Sequence, residues 1–407
     1  MSILAGLLLG MDLTTITSSI RKGMGDLLGS LLVVIVCGAM LGKLVAESGA
    51  AQQITSGMIK IFGLRYIQWA LVTAGFLVGI PLFYGVGFVL IVPLVFAIAY
   101  QNKLPVVFLG ISMLASLSVT HGFLPPHPSP IALVGQFHAD MGKTLLYGLM
   151  VAIPTVILAG PIFASSLKKM NSQPLDTFRP PVLSEKELPS VAISIISALL
   201  PVVLLATTSL AQTFLPLEGT SKKIIAFIGD SDIVMLTSLL FASITLGVGR
   251  NISATKLASI FGDSIKDIAG ILLIMAGGGA LKEIMISSGI GLEIATSFQY
   301  MNVNPLVLGW LIAAVIRVAI GSATVAGITA AGIIAPMLSI THADANLMVL
   351  AVGAGSLMFS HVNDSGFWLY KEYFNLTIKQ TILSWSLMET IISICGLLGV
   401  LILQTFI

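Results

Sequence analysis

Two short polar stretches interrupt a chain that is otherwise almost wholly aliphatic. THGFLPPHPSP (Thr120–Pro130) packs His121, His127 and four prolines into eleven residues. SHVNDSGFW (Ser360–Trp368) sets His361, Asn363, Asp364 and Ser365 within five. Histidine titrates near physiological pH and a desolvated carboxyl is raised toward it, so either stretch could carry a proton. A third stretch, IRVAIGSATVAGITAAG (Ile316–Gly332), holds one arginine, Arg317, between long uncharged runs, followed by Ser322, Thr324 and Thr329. An arginine at such a place is expensive and by default marks a functional site, unless it snorkels to an interface. Its planar fork suits a carboxylate, and the small hydroxyls suit a hydroxylated solute. His121, His127, Arg317, Ser322, Thr324, His361, Asn363, Asp364 and Ser365 are therefore the candidates for lining a path for a polar, anionic solute and a proton.

The elements that carry these residues have to lie in hydrocarbon. Charged residues are 9% of the chain, against about 25% in soluble domains. The hydrophobic fraction is 56% and mean hydropathy is +1.03. No Asp, Glu, Lys or Arg occurs in Tyr66–Asn102, Thr144–Leu167, Leu188–Leu217, Ile294–Ile316 or Thr390–Ile407. A spanning helix needs about 20 mostly apolar residues, so each window holds most of a crossing or more. A large soluble protein would need a charged outer face that these windows lack. The chain reads as an all-α polytopic membrane protein, with the lipid bilayer as its constant partner. Its net charge of +2 forms no patch for nucleic acid, and Cys37 and Cys395 sit in apolar runs with no disulfide framework. The opening MSILAGLLLG lacks the basic n-region and cleavage site of a signal peptide and reads as the remnant of an N-terminal helix.

Unpaired backbone polar groups cost several kcal/mol in hydrocarbon, so broken helices survive only inside protein or beside a wet cavity. Pro81, Gly85 and Gly87 interrupt one apolar run, and Gly321 and Gly327 another. Sliding the chain by 240 residues brings Gly38 onto Gly278, Gly87 onto Gly327, Ser116 onto Ser356 and His121 onto His361. In each half a glycine-rich break, a helix and a polar segment opening with histidine follow one another. We expect two inverted structural repeats with broken or re-entrant helices. The division is 1–24 remnant, 25–168 first repeat, 169–263 central cytoplasmic loop and linking helices, and 264–407 second repeat. Lys168, Lys169, Arg179 and Lys186 place the central connector on the cytoplasmic side, with Arg250, Lys256 and Lys266 beside it and Lys222 and Lys223 against it.

Several motifs fail. GKT at Gly142–Thr144 lacks the Walker glycine five residues earlier, where Phe137 stands. There is no HExxH and no CxxC, and AGGGA (Ala276–Ala280) suits tight helix packing better than a dinucleotide fingerprint. Neither ATP hydrolysis, a metal nor any cofactor is indicated, and no nucleophile motif accompanies the histidines to suggest an enzyme.

HGFLPPHPSP, LFYGVGFVLIVPLVF, GSATVAGITAAGIIAP, FSHVNDSGFWLYKEYFNLT and the ending SWSLMETIISICGLLG resemble the gluconate permease family of bacterial proton symporters. The resemblance runs from about Met11 to the C-terminus. It implies proton-coupled uptake of gluconate or a related hydroxy acid across the bacterial inner membrane, with idonate, other sugar acids and D-serine carried by relatives. Similarity to the wider ion-transporter superfamily implies re-entrant hairpins and elevator-like movement, and homo-oligomers are compatible with it. Members often carry an acidic residue within the LFY-x-VGF string, where this chain has Gly85. The coupling proton is then left to His121, His361 or Asp364. The alternatives from other classes are a passive channel and a membrane-embedded enzyme.

Overall fold

In a computed structural model of the chain, the described residues are all but 1, 83, 126, 171, 173–183, 185–186, 216–217, 290–302 and 342. Their regular elements are all helical. The first half runs α1 (Ser2–Leu8), α2 (Leu13–Glu47), α3 (Ala50–Phe62), α4 (Ile67–Gly79), α5 (Tyr84–Gln101), α6 (Val106–Phe123), α7 (Pro128–Phe137) and α8 (Met141–Ile157). A π-helical turn, Leu158–Ile162, extends α8 into α9 (Phe163–Ser166). The linking helices are α10 (Val191–Phe214), α11 (Gly219–Ile228) and α12 (Ser231–Ala242). The second half runs α13 (Ala254–Ser287), α14 (Pro305–Ile320), α15 (Ala323–Thr341), α16 (Ala345–Gly355), α17 (Ser365–Tyr373), α18 (Ile378–Thr381) and α19 (Leu387–Gln404).

Local chemistry sets most of the starts. Asp12, Asp140, Ser190, Asp230, Ser253, Asn304 and Asp344 each cap the helix that follows, accepting from one or two of its first N–H groups. Such caps satisfy donors that no intrahelical carbonyl reaches. Among the described residues, five helical stretches are long and apolar enough to cross a membrane, or up to seven if two bent pairs each count as one span. Their outer faces carry Met150, Ile153, Ile196, Val203, Leu398 and Ile402 in the open, as lipid contact requires. By contrast α16 is buried from Asn346 to its end, and in α6 only Phe108 and His121 are even partly exposed. These two helices face protein all round and belong to the interior.

The two halves use one order of elements. A long helix (α2, α13) comes first, and later a helix that stops short (α4, α14). A two- to four-residue break precedes the next helix (α5, α15), and then a hairpin (α6–α7, α16–α17) leads into a final long helix. The long helices α2 and α13 cross at Gly23 and Gly279, where a Cβ on either would strike the other's backbone carbonyl. Gly278 and Gly279 therefore serve close packing, and the glycine run at 277–279 does not break its helix.

Other expected interruptions move as well. Gly85 and Gly87 lie within α5 and Gly327 lies within α15. Among the described residues, the real breaks fall just before, at residues 80–82, which include Pro81, and at Gly321–Ser322. Glycine inside a helix costs only about 1 kcal/mol relative to alanine and here admits neighbours. A Cβ on Gly87 would sit 3.1 Å from Leu117, and one on Gly327 would sit 3.0 Å from Ser129 Oγ. In THGFLPPHPSP the non-helical part among the described residues is only 124, 125 and 127. His121 stays in the last turn of α6, and Pro128 opens α7, where a missing N–H costs nothing. The second hairpin is looser, with Ser356–Asp364 outside any helix.

Of the basic residues used to orient the chain, Arg179 and Lys186 lie outside the described residues. Arg250 donates to the Glu187 carbonyl, so the connector and the end of the second linking span share one face.

Candidate functional site

Arg317 sits one turn before the end of α14, which stops at Gly321 in the left-handed conformation, φ 87°. A Cβ on Gly321 would collide with the Asn363 carbonyl, so only glycine lets the two segments press together here. The approach brings Arg317 to Asp364, the N-cap of α17. Arg317 Nη2 donates to Asp364 Oδ2, Ser360 Oγ donates to the same oxygen, and the Gly366 N–H donates to Oδ1 at 3.0 Å. Trp385 Nε1 holds Ser360 Oγ at 2.8 Å, and Ser386 Oγ donates to the Ser360 carbonyl. Each charge also sits at the helix end that favours it, a cation at a C-terminus and an anion at an N-terminus. The side chains are 3% and 15% exposed. This is a buried, charge-assisted pair whose carboxylate is fully engaged.

Arg317 is not fully engaged. Its Nε and Nη1 are buried without a partner. They border a cavity of about 490 Å³. Arg317, Gly321, Ser322 and Thr324 form one wall of it, and Asn363, Asp364, Ser365 and Gly366 a second. Tyr84 and Gly85 from α5, with Ser118 and His121 from α6, close a third, and Trp385 and Glu389 join the apolar Leu357 and Leu369 in the rest of the lining. Glu389, in the first turn of α19, is 2% exposed. Its Oε1 accepts from Ser118 Oγ at 2.5 Å, while Oε2 has no partner. Tyr84 Oη and His121 Nδ1 are likewise unpartnered. Buried polar atoms are nearly always hydrogen-bonded. Five that are not, gathered round one cavity, mark a place where a polar ligand completes the bonding.

Nine of the fourteen residues singled out from sequence line this cavity: His121, Arg317, Ser322, Thr324, Asn363, Asp364, Ser365, Gly85 and Gly321. Five do not. His127 is buried behind His121, with ring centroids 5.2 Å apart, and its Nε2 bonds the Gly79 carbonyl at 2.6 Å. His361 Nε2 bonds the Val318 carbonyl at 3.0 Å, and Asn363 Nδ2 donates to the same carbonyl at 2.8 Å. Both carbonyls belong to the last turn of a helix that stops short, where no intrahelical N–H reaches them. These two histidines cap broken helix ends. Pro81, Gly87 and Gly327 shape the packing around the breaks without reaching the cavity.

Sequence reasoning missed Glu389, Ser118, Tyr84 and Trp385. Glu389 had a signal: it is the sole carboxylate side chain between Glu372 and Ile407, in a run otherwise uncharged beyond Lys379. The rule that picked out Arg317 applies to it equally.

A second cavity of about 840 Å³ lies among α2, α7, α8 and α13. Its ionic groups are largely matched within the protein. Lys22 pairs with Glu283 at 2.7 Å, Lys282 Nζ donates to the Gln136 carbonyl at 2.6 Å, and Asp140 caps α8. Among the described residues no group of three His, Cys, Asp or Glu side chains is placed to hold a metal ion.

Comparison with known proteins agrees with this layout. The family model described as GntP family permease matches residues 1–407. The chain is 50% identical over 400 residues to a high-affinity gluconate transporter of Escherichia coli K12, covering 98% of this chain and 91% of that protein. It is 45% identical over 393 residues to the Gnt-II system L-idonate transporter of the same strain, covering 96% and 90%. In fold it is similar to the YdaH transporter of Alcanivorax borkumensis, with a TM-score of 0.66 at 18% identity and coverage of 96% and 88%. The Neisseria gonorrhoeae MtrF structure gives a TM-score of 0.68 at 14% identity, covering 96% and 84%.

Proposed function

This chain belongs to the GntP family of permeases, and from that premise we propose that it takes gluconate or a closely related hydroxy carboxylate into the bacterial cell together with a proton. The inner membrane is then its location. The observation that carries the substrate class is Arg317, a buried guanidinium with Nε and Nη1 still free beside a cavity that also offers small hydroxyls. Asp364 occupies Nη2, and a substrate carboxylate would accept a charge-assisted hydrogen bond from the free Nη1 or Nε. Ser322, Thr324 and Asn363 would answer the substrate hydroxyls. A cavity of about 490 Å³ is of the size small-molecule sites usually have, roughly 300–1,000 Å³. The names of the relatives, gluconate and L-idonate transporters, support the same class.

Cells lacking their own permeases and expressing this chain should accumulate labelled gluconate, with L-idonate and D-serine as competitors. Counterflow exchange in vesicles separates a carrier from a passive channel. Arg317→Lys keeps the charge but loses the planar fork, so apparent affinity should fall, and Arg317→Ala should be worse. Normal transport by both variants at normal expression would move the binding site away from Arg317. Failure to transport gluconate or L-idonate would remove the substrate assignment.

A further inference from the structure

We propose that Glu389 is the group that binds and releases the coupling proton, at its free oxygen Oε2. The inference rests on the reading above, that a carboxylate substrate enters this cavity with a proton.

Three charged side chains line the cavity: Arg317, Asp364 and Glu389. Arg317 and Asp364 neutralise each other in a direct pair. A substrate carboxylate on Arg317 then brings the cavity to one net negative charge, and an ionised Glu389 would bring it to two. Like charges sharing a buried site repel far more strongly than in water. When Oε2 takes a proton from the aqueous side the second charge disappears, so protonated Glu389 and bound anion favour each other. By linkage the bound anion equally holds the proton on. On the opposite side the anion leaves, the repulsion that kept the acid neutral is gone, and Oε2–H ionises to water. One proton crosses with each monocarboxylate, and the cavity carries one net negative charge whether loaded or empty, so the cycle moves no net charge.

The competing groups are less suited. Asp364 accepts from Arg317, Ser360 and the Gly366 N–H, so protonating it would forfeit the pair that positions the guanidinium. His127 is committed to the Gly79 carbonyl and His361 to the Val318 carbonyl. His121 Nδ1 is free, but a cationic ring there would share the cavity with Arg317 and has no carboxylate bonded to it. Against Glu389, α6 presents Ser118 and His121, α5 presents Tyr84, α14 presents Arg317, and the hairpin presents Asp364. Tyr370 of α17 bonds Ser384 instead. The turn at 158–162 and helix α16, both packed on α19, contain no ionisable residue. Glu389 is the carboxyl with one oxygen anchored, by Ser118, and one oxygen free.

Reconstituted vesicles test this in two arms. In the wild-type chain, a pH gradient of one unit, alkaline inside, should sustain about tenfold accumulation of gluconate, the value for one proton per anion. A potassium diffusion potential without a pH gradient should drive none. In Glu389→Gln the pH gradient should drive no accumulation, and counterflow exchange should lose its dependence on pH. Wild-type uptake indifferent to the pH gradient would overturn proton coupling, and this proposal with it. Wild-type uptake driven by the gradient but equally driven in Glu389→Gln would overturn the proposal alone. So would loss of accumulation in His121→Gln with retention in Glu389→Gln. Should Glu389→Gln fail to insert, the wild-type arm decides: uptake driven by the electrical potential contradicts an electroneutral cycle.

Discussion

The two broken helices are finished in the same way, but only the second carries charged side chains. Where α4 stops, the Gly79 carbonyl is taken by His127; where α14 stops, the Val318 carbonyl is taken by His361 and Asn363. In the 240-residue register, however, Arg317 and Asp364 meet Leu77 and Leu124. The first break is closed by Ile80, Leu82 and Leu124, all at most 3% exposed. The second opens onto the cavity with an ion pair and two spare donors. Histidine at a break is therefore carpentry in this molecule, and the chemistry comes from whether the neighbouring helix end carries a charge.

Breaking that charge should have the largest effect. Arg317→Ala strands a buried carboxylate, which costs about 3–5 kcal/mol and should lower the melting temperature in detergent as well as abolish uptake. Installing the first half's residues, Arg317→Leu with Asp364→Leu, should recover most of the stability, since an apolar pair in place of a buried ion pair is often neutral. It should not recover uptake, and a double variant that transports would erase the distinction between the two breaks. Next comes Gly321→Ala. A non-glycine residue in the left-handed region costs about 1–2 kcal/mol, and here its Cβ also meets the Asn363 carbonyl. Uptake should fall by about tenfold or more, whereas Gly87→Ala, facing only a Leu117 methyl, should fall less.

The histidines supply the smaller effects. His127→Ala leaves the Gly79 carbonyl buried and unbonded, a loss of about 1–3 kcal/mol. It should appear in thermal stability, while the pH dependence of the remaining uptake stays as in the wild type. A shifted pH profile in this variant would return His127 to the proton path. His361→Gln should cost less than about 1 kcal/mol, because Asn363 still donates to the Val318 carbonyl.

Much of this was legible beforehand, and the rest has identifiable reasons. Charge-free windows announced the helices, and a lone arginine followed by Gly-Ser announced the site. Gly85, Gly87 and Gly327 misled as breaks because glycine also serves helix contact, and only the neighbour's position tells the two uses apart. His127 and His361 misled because a titratable ring is equally a hydrogen-bond donor, and the carbonyls they satisfy lie 48 and 43 residues away in sequence. Glu389 was hidden by its setting. It opens a long apolar helix, and its partner Ser118 stands 271 residues earlier.

Gly85 has a consequence of a different kind. It lines the cavity, yet a Cβ there would meet no described atom within 4 Å. This stretch of wall is bare, and a methyl group there displaces no described atom. The series Gly85→Ala, Val, Leu would act as a caliper on the bound molecule, excluding the longest acids first and sparing the shortest. The length of substrate lost at each step would measure how far along the cavity the solute's tail extends when its carboxylate rests on Arg317.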